Sequence, residues 1–248
     1  MHWWFPANAS SYGGDVDRIF YVILYITGAV FLLVEGGLLV FLVRYRRREG
    51  RTAAYVHGNN KAEIVWTTIP AVIVISLALL SQKVWSAVKD PAHFPKDAIP
   101  IGVHVKQFEW QITMPGPDGK LDTDDDIFRK NEMHLQVGRD YAVRLTSQDV
   151  IHSFFIPAFR LKQDAVPGMT ITAWFRPTRT GEFDLACSQL CGTGHYRMEA
   201  KVYVHSAEDF ARWQAAQAAG GVATPSAAAA DTPRATGGMA MGHSGAMR

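Results

Sequence analysis

Cys187, Cys191, His195 and Met198 stand in one short stretch, Cys187-Ser188-Gln189-Leu190-Cys191-Gly192-Thr193-Gly194-His195-Tyr196-Arg197-Met198, which holds both cysteines of the chain. Two thiolates, an imidazole and a thioether are soft or borderline ligands, and that set suits copper. One cysteine with histidine and methionine would describe a single blue copper ion. A second cysteine lets both sulfurs bridge two copper ions that share one redox electron. Other chemistries compete for the same residues. In an oxidising compartment two cysteines can pair as a disulfide, although the four-residue offset does not favour the geometry. Structural zinc would take the cysteines and the histidine but leave Met198 unused. A redox dithiol ordinarily has two residues between its cysteines, not three.

A copper site of this kind needs a second histidine from elsewhere in the chain. The segment Ser147-Gln148-Asp149-Val150-Ile151-His152-Ser153-Phe154 supplies a candidate, because His152 follows a strand-like run and stands among apolar residues. A lone histidine in such a place is more often structural. A distant histidine paired with a downstream cysteine-rich loop is nevertheless what a cupredoxin-type site requires, and the other histidines lack that context.

The elements that must hold these residues are of two kinds. Residues 19–43 and 64–81 are long, almost uncharged apolar runs, long enough to cross a bilayer. Glu35 interrupts the first; it reads as a polar group turned toward a partner subunit rather than a proton relay. Arg44, Arg46, Arg47, Arg48 and Arg51, with Lys61, mark the connecting loop as cytoplasmic, which puts both termini outside. Trp3, Trp4 and Phe5, and farther on Trp66 and Trp85, suit the membrane interface. Pro70 is expected in the first turn or two of the second helix, where a missing N–H is tolerated. No basic leader with a small-residue cleavage site is evident.

Beyond a linker at 89–99 the pattern alternates. Ile101, Val103 and Val105 face one way, His104 and Lys106 the other, as in a strand. Further strands are expected at 133–137, 141–146, 169–176, 181–186 and 199–204, spaced by turn residues as in a β-sandwich or barrel. The acidic loop Asp118-Gly119-Lys120-Leu121-Asp122-Thr123-Asp124-Asp125-Asp126 lacks the spacing and closing glutamate of a calcium loop and reads as a solvated hairpin tip, a docking surface for a basic partner. Trp110 and Phe108, two residues apart, are expected on one face of a strand. Residues 207–248 are rich in Ala, Gly, Thr, Pro and Ser and read as a disordered tail, with Met239, Met241, His243 and Met247 as weak copper ligands at most. The net charge of +2 gives no support to nucleic-acid binding. No Cys-x-x-Cys-His occurs, so no covalent haem c is expected.

The resulting organisation is an extracytoplasmic segment at 1–16, a transmembrane hairpin at 17–88, a β domain at 89–206 and a tail at 207–248. The fold class is a membrane-anchored all-β protein, a two-helix hairpin followed by a cupredoxin-like Greek-key sandwich.

The motif at 187–198 resembles the dinuclear copper (CuA) site of cytochrome c oxidase subunit II. Three further stretches resemble that family in the same order: Glu63-Ile64-Val65-Trp66-Thr67 through Pro70, Asp149-Val150-Ile151-His152-Ser153-Phe154, and Leu161-Lys162-Gln163-Asp164-Ala165-Val166-Pro167-Gly168. Together they cover residues 17–206. The resemblance implies that Cys187 and Cys191 bridge the coppers, that His152 and His195 take one copper each, and that Met198 and the backbone carbonyl of Gln189 are weak outer ligands. Many family members have glutamate where Gln189 stands, and its side chain helps hold magnesium against subunit I; glutamine keeps the carbonyl but not the charge. The family often opens its aromatic run with tryptophan where Phe108 stands here, while Trp110 remains as the candidate for electron entry. Glu63 matches a position at the mouth of a proton pathway.

The resemblance further implies a respiratory subunit in a bacterial cytoplasmic membrane. It would take electrons from cytochrome c or a similar carrier and pass them to haem in subunit I, where oxygen becomes water and protons are translocated. Membrane lipid and the other oxidase subunits would be its partners. A quinol oxidase subunit would lack the copper ligands. A copper-delivery protein would not need the helix signature at 63–70, and nitrous-oxide reductase does not have two spans on so short a chain.

Overall fold

The two apolar runs fold into the longest elements of the molecule, helices α1 (Gly13–Arg44) and α2 (Asn60–Lys89). The structure is a computed structural model and describes residues 5–220, without the side chains of 218–220. Trp3, Trp4 and the tail residues Met239, Met241, His243 and Met247 lie outside the described residues. Both helices outrun the apolar stretches that announce them, because hydrophobicity marks the lipid whereas helical hydrogen bonding continues to a cap. Asn59 is that cap for α2, its side chain accepting from the backbone N–H of Lys61 and of Ala62. Two expectations are corrected. The hairpin starts at Gly13 rather than at residue 17, and Pro70 lies in the interior of α2 rather than in its first two turns. There its ring nitrogen cannot bond the carbonyl one turn back, so that carbonyl is left free.

Past a short 3₁₀ turn at Pro91–His93, ten strands follow. They are β1 (Ile99–Lys106), β2 (Glu109–Met114), β3 (Ile127–Lys130), β4 (Glu132–Gln136), β5 (Tyr141–Ser147), β6 (His152–Ile156), β7 (Leu161–Ala165), β8 (Ile171–Phe175), β9 (Gly181–Cys187) and β10 (Glu199–His205). They form two five-stranded sheets, ordered β3-β2-β1-β5-β8 and β4-β10-β9-β6-β7. The β1–β5 and β4–β10 pairs are parallel, so neither can be closed by a tight turn. The chain must cross between sheets, which gives the cupredoxin-like sandwich. Alternate residues turn inward: Ile101, Val103 and Val105 from β1, Val143 and Leu145 from β5, and Val202 and Val204 from β10, around Trp110, Phe154, Phe159 and Phe175.

All five downstream strands expected from alternation are present within two residues of their expected ends, and β1 begins two residues before Ile101. Three strands were not expected at all: β3, β6 and β7. In β7, Lys162, Gln163 and Asp164 sit between Leu161 and Ala165, and pairing with β6 rather than local pattern holds it extended.

The boundary at 207 is also corrected. Residues Ala207–Gly220 form helix α3, started by Ser206, whose hydroxyl accepts from Asp209 N at 3.1 Å. Trp213 of α3 stacks on His134, with ring centroids 4.2 Å apart, and His134 stacks in turn on His205. A composition too poor in apolar residues for a core of its own is docked by one tryptophan.

The hairpin and the sandwich are joined at two places. Near α1, Ala9 N donates to Ala158 O at 2.8 Å, the Ser10 hydroxyl to Phe159 O at 2.7 Å, and Arg160 holds both carboxylate oxygens of Asp17. Near the end of α2, Lys89 Nζ donates to Lys162 O at 2.6 Å and Trp174 Nε1 to Ala87 O at 3.1 Å.

Candidate metal centre

Strand β9 delivers Cys187 at its last position, and the loop to β10 carries the remaining residues of the cysteine motif. The loop is closed at its base by Cys187 N donating to Met198 O at 3.1 Å. A 3₁₀ turn over His195–Arg197 folds the histidine back toward the sulfurs. Gly192 has φ +136°, which a side chain rarely tolerates, and a β-carbon on Gly194 would lie 2.5 Å from the Phe108 ring. The glycines therefore let the loop tuck under the β1–β2 turn. That turn grips it directly, Gln107 Nε2 donating to Cys191 O at 2.6 Å.

The ligand atoms converge. The two Sγ atoms are 3.8 Å apart, His195 Nδ1 is 3.6 Å and Met198 Sδ 3.7 Å from Cys191 Sγ, and His152 Nδ1 is 3.9 Å from Cys187 Sγ. The Gln189 carbonyl oxygen lies 3.2 Å from Cys187 Sγ, while its side chain is exposed. A disulfide needs its sulfurs about 2.05 Å apart, so the cysteines are two free thiols. His152, Cys187 and Cys191 are all buried with their ligand atoms within 4.8 Å of one another. Met198 is buried against this group, where a zinc site would leave its thioether idle. Two close sulfurs with an imidazole on each side and a thioether beyond form a donor set that fits copper.

His152 opens β6, and its orientation is fixed from behind. Nε2 bonds Asp149 Oδ1 at 2.9 Å, which leaves Nδ1 turned to the sulfurs. Asp149 also accepts from Gln107 N and Val150 N, both at 2.7 Å. Burial raises the Asp149 pKa, but these hydrogen bonds together with that of His152 outweigh it and hold the group below the ordinary carboxylate value. Burial, and then the neighbouring Cys187, push the Cys191 thiol up to about 12. The thiol is therefore protonated at neutral pH, and a bound metal would have to displace that proton.

The structure brings together His152, Cys187, Gln189, Cys191, His195 and Met198. Glu63 stands apart, exposed in the first turn of α2 at the end of the hairpin far from the sandwich. The expectation for Trp110 is corrected. It is 0 % exposed, in the core, and packs edge-on against Phe154, which lies opposite Cys187 across the β6–β9 pair. An outside partner cannot touch it. Phe108 does not share its strand but lies in the turn between β1 and β2, its ring over Gly192 and Gly194. On the loop's outer side Leu190 and Tyr196 are 80 % and 84 % exposed.

The acidic loop is a hairpin tip, as expected, with Asp118, Asp122, Asp124 and Asp125 exposed. It joins β2 to β3 at the opposite end of the sheet: Lys106 and Glu109 pair near the sulfurs, whereas Asp122 reaches Arg144, which lies opposite Gly102 four residues back. Some of its carboxylates are tied down. Asp126 is buried and accepts from Asp122 N at 2.8 Å, and Asp125 accepts from the Thr123 hydroxyl at 2.7 Å. The two positioning residues that sequence reasoning passed over are Asp149 and Gln107. A carboxylate three residues before a candidate ligand histidine was a readable signal for the first; nothing local marks the second.

Residues 1–84 match the profile of the cytochrome c oxidase subunit II transmembrane domain, and residues 117–204 that of the subunit II periplasmic domain. The alternative cytochrome c oxidase subunit 2 of Bradyrhizobium diazoefficiens is 34 % identical over 233 residues, covering 85 % of this chain and 83 % of that one. Cytochrome c oxidase subunit 2 of Thermostichus vulcanus is 32 % identical over 265 residues, covering 86 % and 78 %. Among solved structures, the periplasmic domain of subunit II of the Bradyrhizobium japonicum cytochrome oxidase is similar at 32 % identity with a TM-score of 0.44, covering 50 % of this chain and 95 % of that one.

Proposed function

This chain belongs to the cytochrome c oxidase subunit II family, and from that premise we propose that it is the electron-entry subunit of its oxidase, holding a dinuclear copper (CuA) centre on His152, Cys187, Cys191, His195, Met198 and the Gln189 carbonyl. At the coarser level it is a membrane subunit of a haem–copper oxidase with an extracytoplasmic domain. The observation that carries the finer reading is the convergence of two free thiols, two imidazole nitrogens and a thioether from two separate segments. When bound, the copper pair supplies a one-electron store whose charge is shared over two metals.

The chain's own residues account for the rest. Asp149 fixes His152 with Nδ1 inward, Gln107 holds the Cys191 carbonyl, and the buried sulfurs keep water away. Rigid ligand loops change little when charge changes, which favours fast transfer. Electrons would come from a cytochrome c or similar carrier meeting the loop at Phe108, Leu190 and Tyr196. They would leave to haem in subunit I, where oxygen is reduced to water with coupled proton translocation. The Gln189 side chain offers no carboxylate for magnesium. The docking of Ala9 and Ser10 on the sandwich supports both ends of the described chain lying on the extracytoplasmic side, as does the arginine-rich connection between the helices. That side is the periplasmic face of a bacterial cytoplasmic membrane.

The test is spectroscopic. The full-length chain in detergent, loaded with copper, should bind two ions and give a mixed-valence paramagnetic signal with one electron shared. Cys191→Ser should abolish that signal. A single-copper spectrum from the fully loaded protein would overturn the bridged site. For Glu63, as a proton-entry group, Glu63→Ala should slow oxygen reduction by the assembled oxidase without altering the copper signal; unchanged turnover would make it an ordinary helix-start carboxylate stabilised by the helix dipole.

A further inference from the structure

The electron-entry role makes no use of the cleft between α1 and α2 at their sandwich end. It has a volume of about 370 Å³ and is lined by Asp15, Arg18 and Ile19 from α1 and by Leu77, Leu80 and Lys83 from α2, among others. Its polarity changes in the same direction along both walls. On α1 the charged positions 15 and 18 give way to the apolar run that begins at Ile19; on α2 the apolar run ends at residue 81, just before Lys83. The rim thus stands at the outer boundary of the hydrocarbon, where lipid phosphates lie, and the floor lies within it. Arg18 and Lys83 are both exposed, and the ion pair of this region, Arg160 with Asp17, includes neither.

We propose that this cleft is a binding site for one glycerophospholipid of the outer leaflet, with its phosphate between Arg18 and Lys83 and an acyl chain along Ile19, Leu77 and Leu80. Three occupants can be weighed. A free anion in water would satisfy the cations and leave the apolar floor uncovered. A helix of a neighbouring subunit would cover the floor but would have to bring carboxylates to the hydrocarbon boundary to meet the cations. A phospholipid does both with one molecule. Asp15 on the same rim has no side-chain partner among the described residues and suits the ammonium of an ethanolamine headgroup, which selects a zwitterionic lipid over phosphatidylglycerol.

The experiment uses the assembled oxidase, purified in mild detergent and exposed to equal amounts of phosphatidylethanolamine and phosphatidylglycerol, with retained lipid counted by native mass spectrometry. One phosphatidylethanolamine should remain on this subunit, and Arg18→Gln with Lys83→Gln should retain about tenfold less or lower still. Asp15→Asn should erase the preference between the two lipids; an undiminished preference would overturn the assignment of the headgroup. If the double variant does not assemble, a benzophenone amino acid in place of Leu80 gives an independent reading on an otherwise unchanged chain, and it should cross-link to lipid. Cross-linking to subunit I instead, or equal lipid retention by the double variant, would overturn the site. The mixed-valence copper signal reports separately on the electron-entry reading.

Discussion

The two ends of the sandwich both gather polar side chains, and they do so in opposite ways. At the ligand end the residues come from segments far apart in the chain: Gln107, then Asp149 and His152, then Cys187 through Met198. At the hairpin end five aspartates come from one contiguous run, and their carboxylates are answered largely by that run's own backbone and hydroxyl. The local cluster spends its hydrogen bonds on folding its loop. The dispersed cluster leaves thiols, an imidazole nitrogen on each side and a thioether with their lone pairs directed at one another, an arrangement that only topology can make. A third gathering, His134, His205 and Trp213, is also dispersed, but its rings stack and hydrogen-bond one another and so anchor a helix. Convergence is necessary for a site; donors left unused by the protein are what distinguish it.

The sharpest challenge to that contrast is Asp149→Asn. If the carboxylate orients His152, the variant should lose about 10- to 100-fold in copper affinity, measured by competition with a chelator, while the domain stays folded. Wild-type affinity would reduce Asp149 to a loop cap and bring the two ends closer in kind.

The His134 stack gives a smaller effect with a defined pH window. Burial above all, then the nearby His205 and Arg129, lower the His134 pKa from 6.5 to about 4 in the folded chain. Above pH 6.5 both the folded and unfolded chains hold it neutral, and its contribution is complete. As pH falls from 6.5 toward 4 the unfolded chain takes up a proton that the folded one refuses, so stability declines. Thermal midpoints should fall over this interval, and His134→Phe should flatten the decline. An equal slope in the variant would remove His134 as its source.

The smallest effect is expected at the hairpin end. Replacing Asp118 and Asp124 with Asn should leave the association rate of a basic carrier nearly unchanged at low salt, because that end faces away from the sulfurs. A marked drop in rate would restore the loop as a steering surface acting at long range.

The candidate ligand set is legible in the sequence because its chemistry is local: four of its side chains fall between 187 and 198, and His152 sits in a recognisable run. Long apolar stretches disclose α1 and α2 for the same reason, since burial in lipid demands uninterrupted hydrophobicity. What stays hidden is whatever depends on pairing. Trp110 and Phe108 look equivalent by alternation, yet a turn separates them, placing one in the core and the other over the loop. The acidic run reads as a hairpin tip, but its distance from the sulfurs shows only in the antiparallel register of β1 and β2, which carries it to the far end. The α3 helix is half hidden: its alanines and the Ser206 cap favour a helix, but its docking comes from Trp213 meeting His134, a contact across the fold.

The strap formed by Ala9, Ser10 and Asp17 also sets an order of events in time. Ser10 bonds Phe159 across 149 residues and Asp17 bonds Arg160 across 143. At roughly 5–20 residues per second, synthesis of that interval takes about 7–30 s. For that time the start of the chain is already made while its partners do not yet exist, so the strap stays open until Arg160 is made, with β7 to β10 still to come.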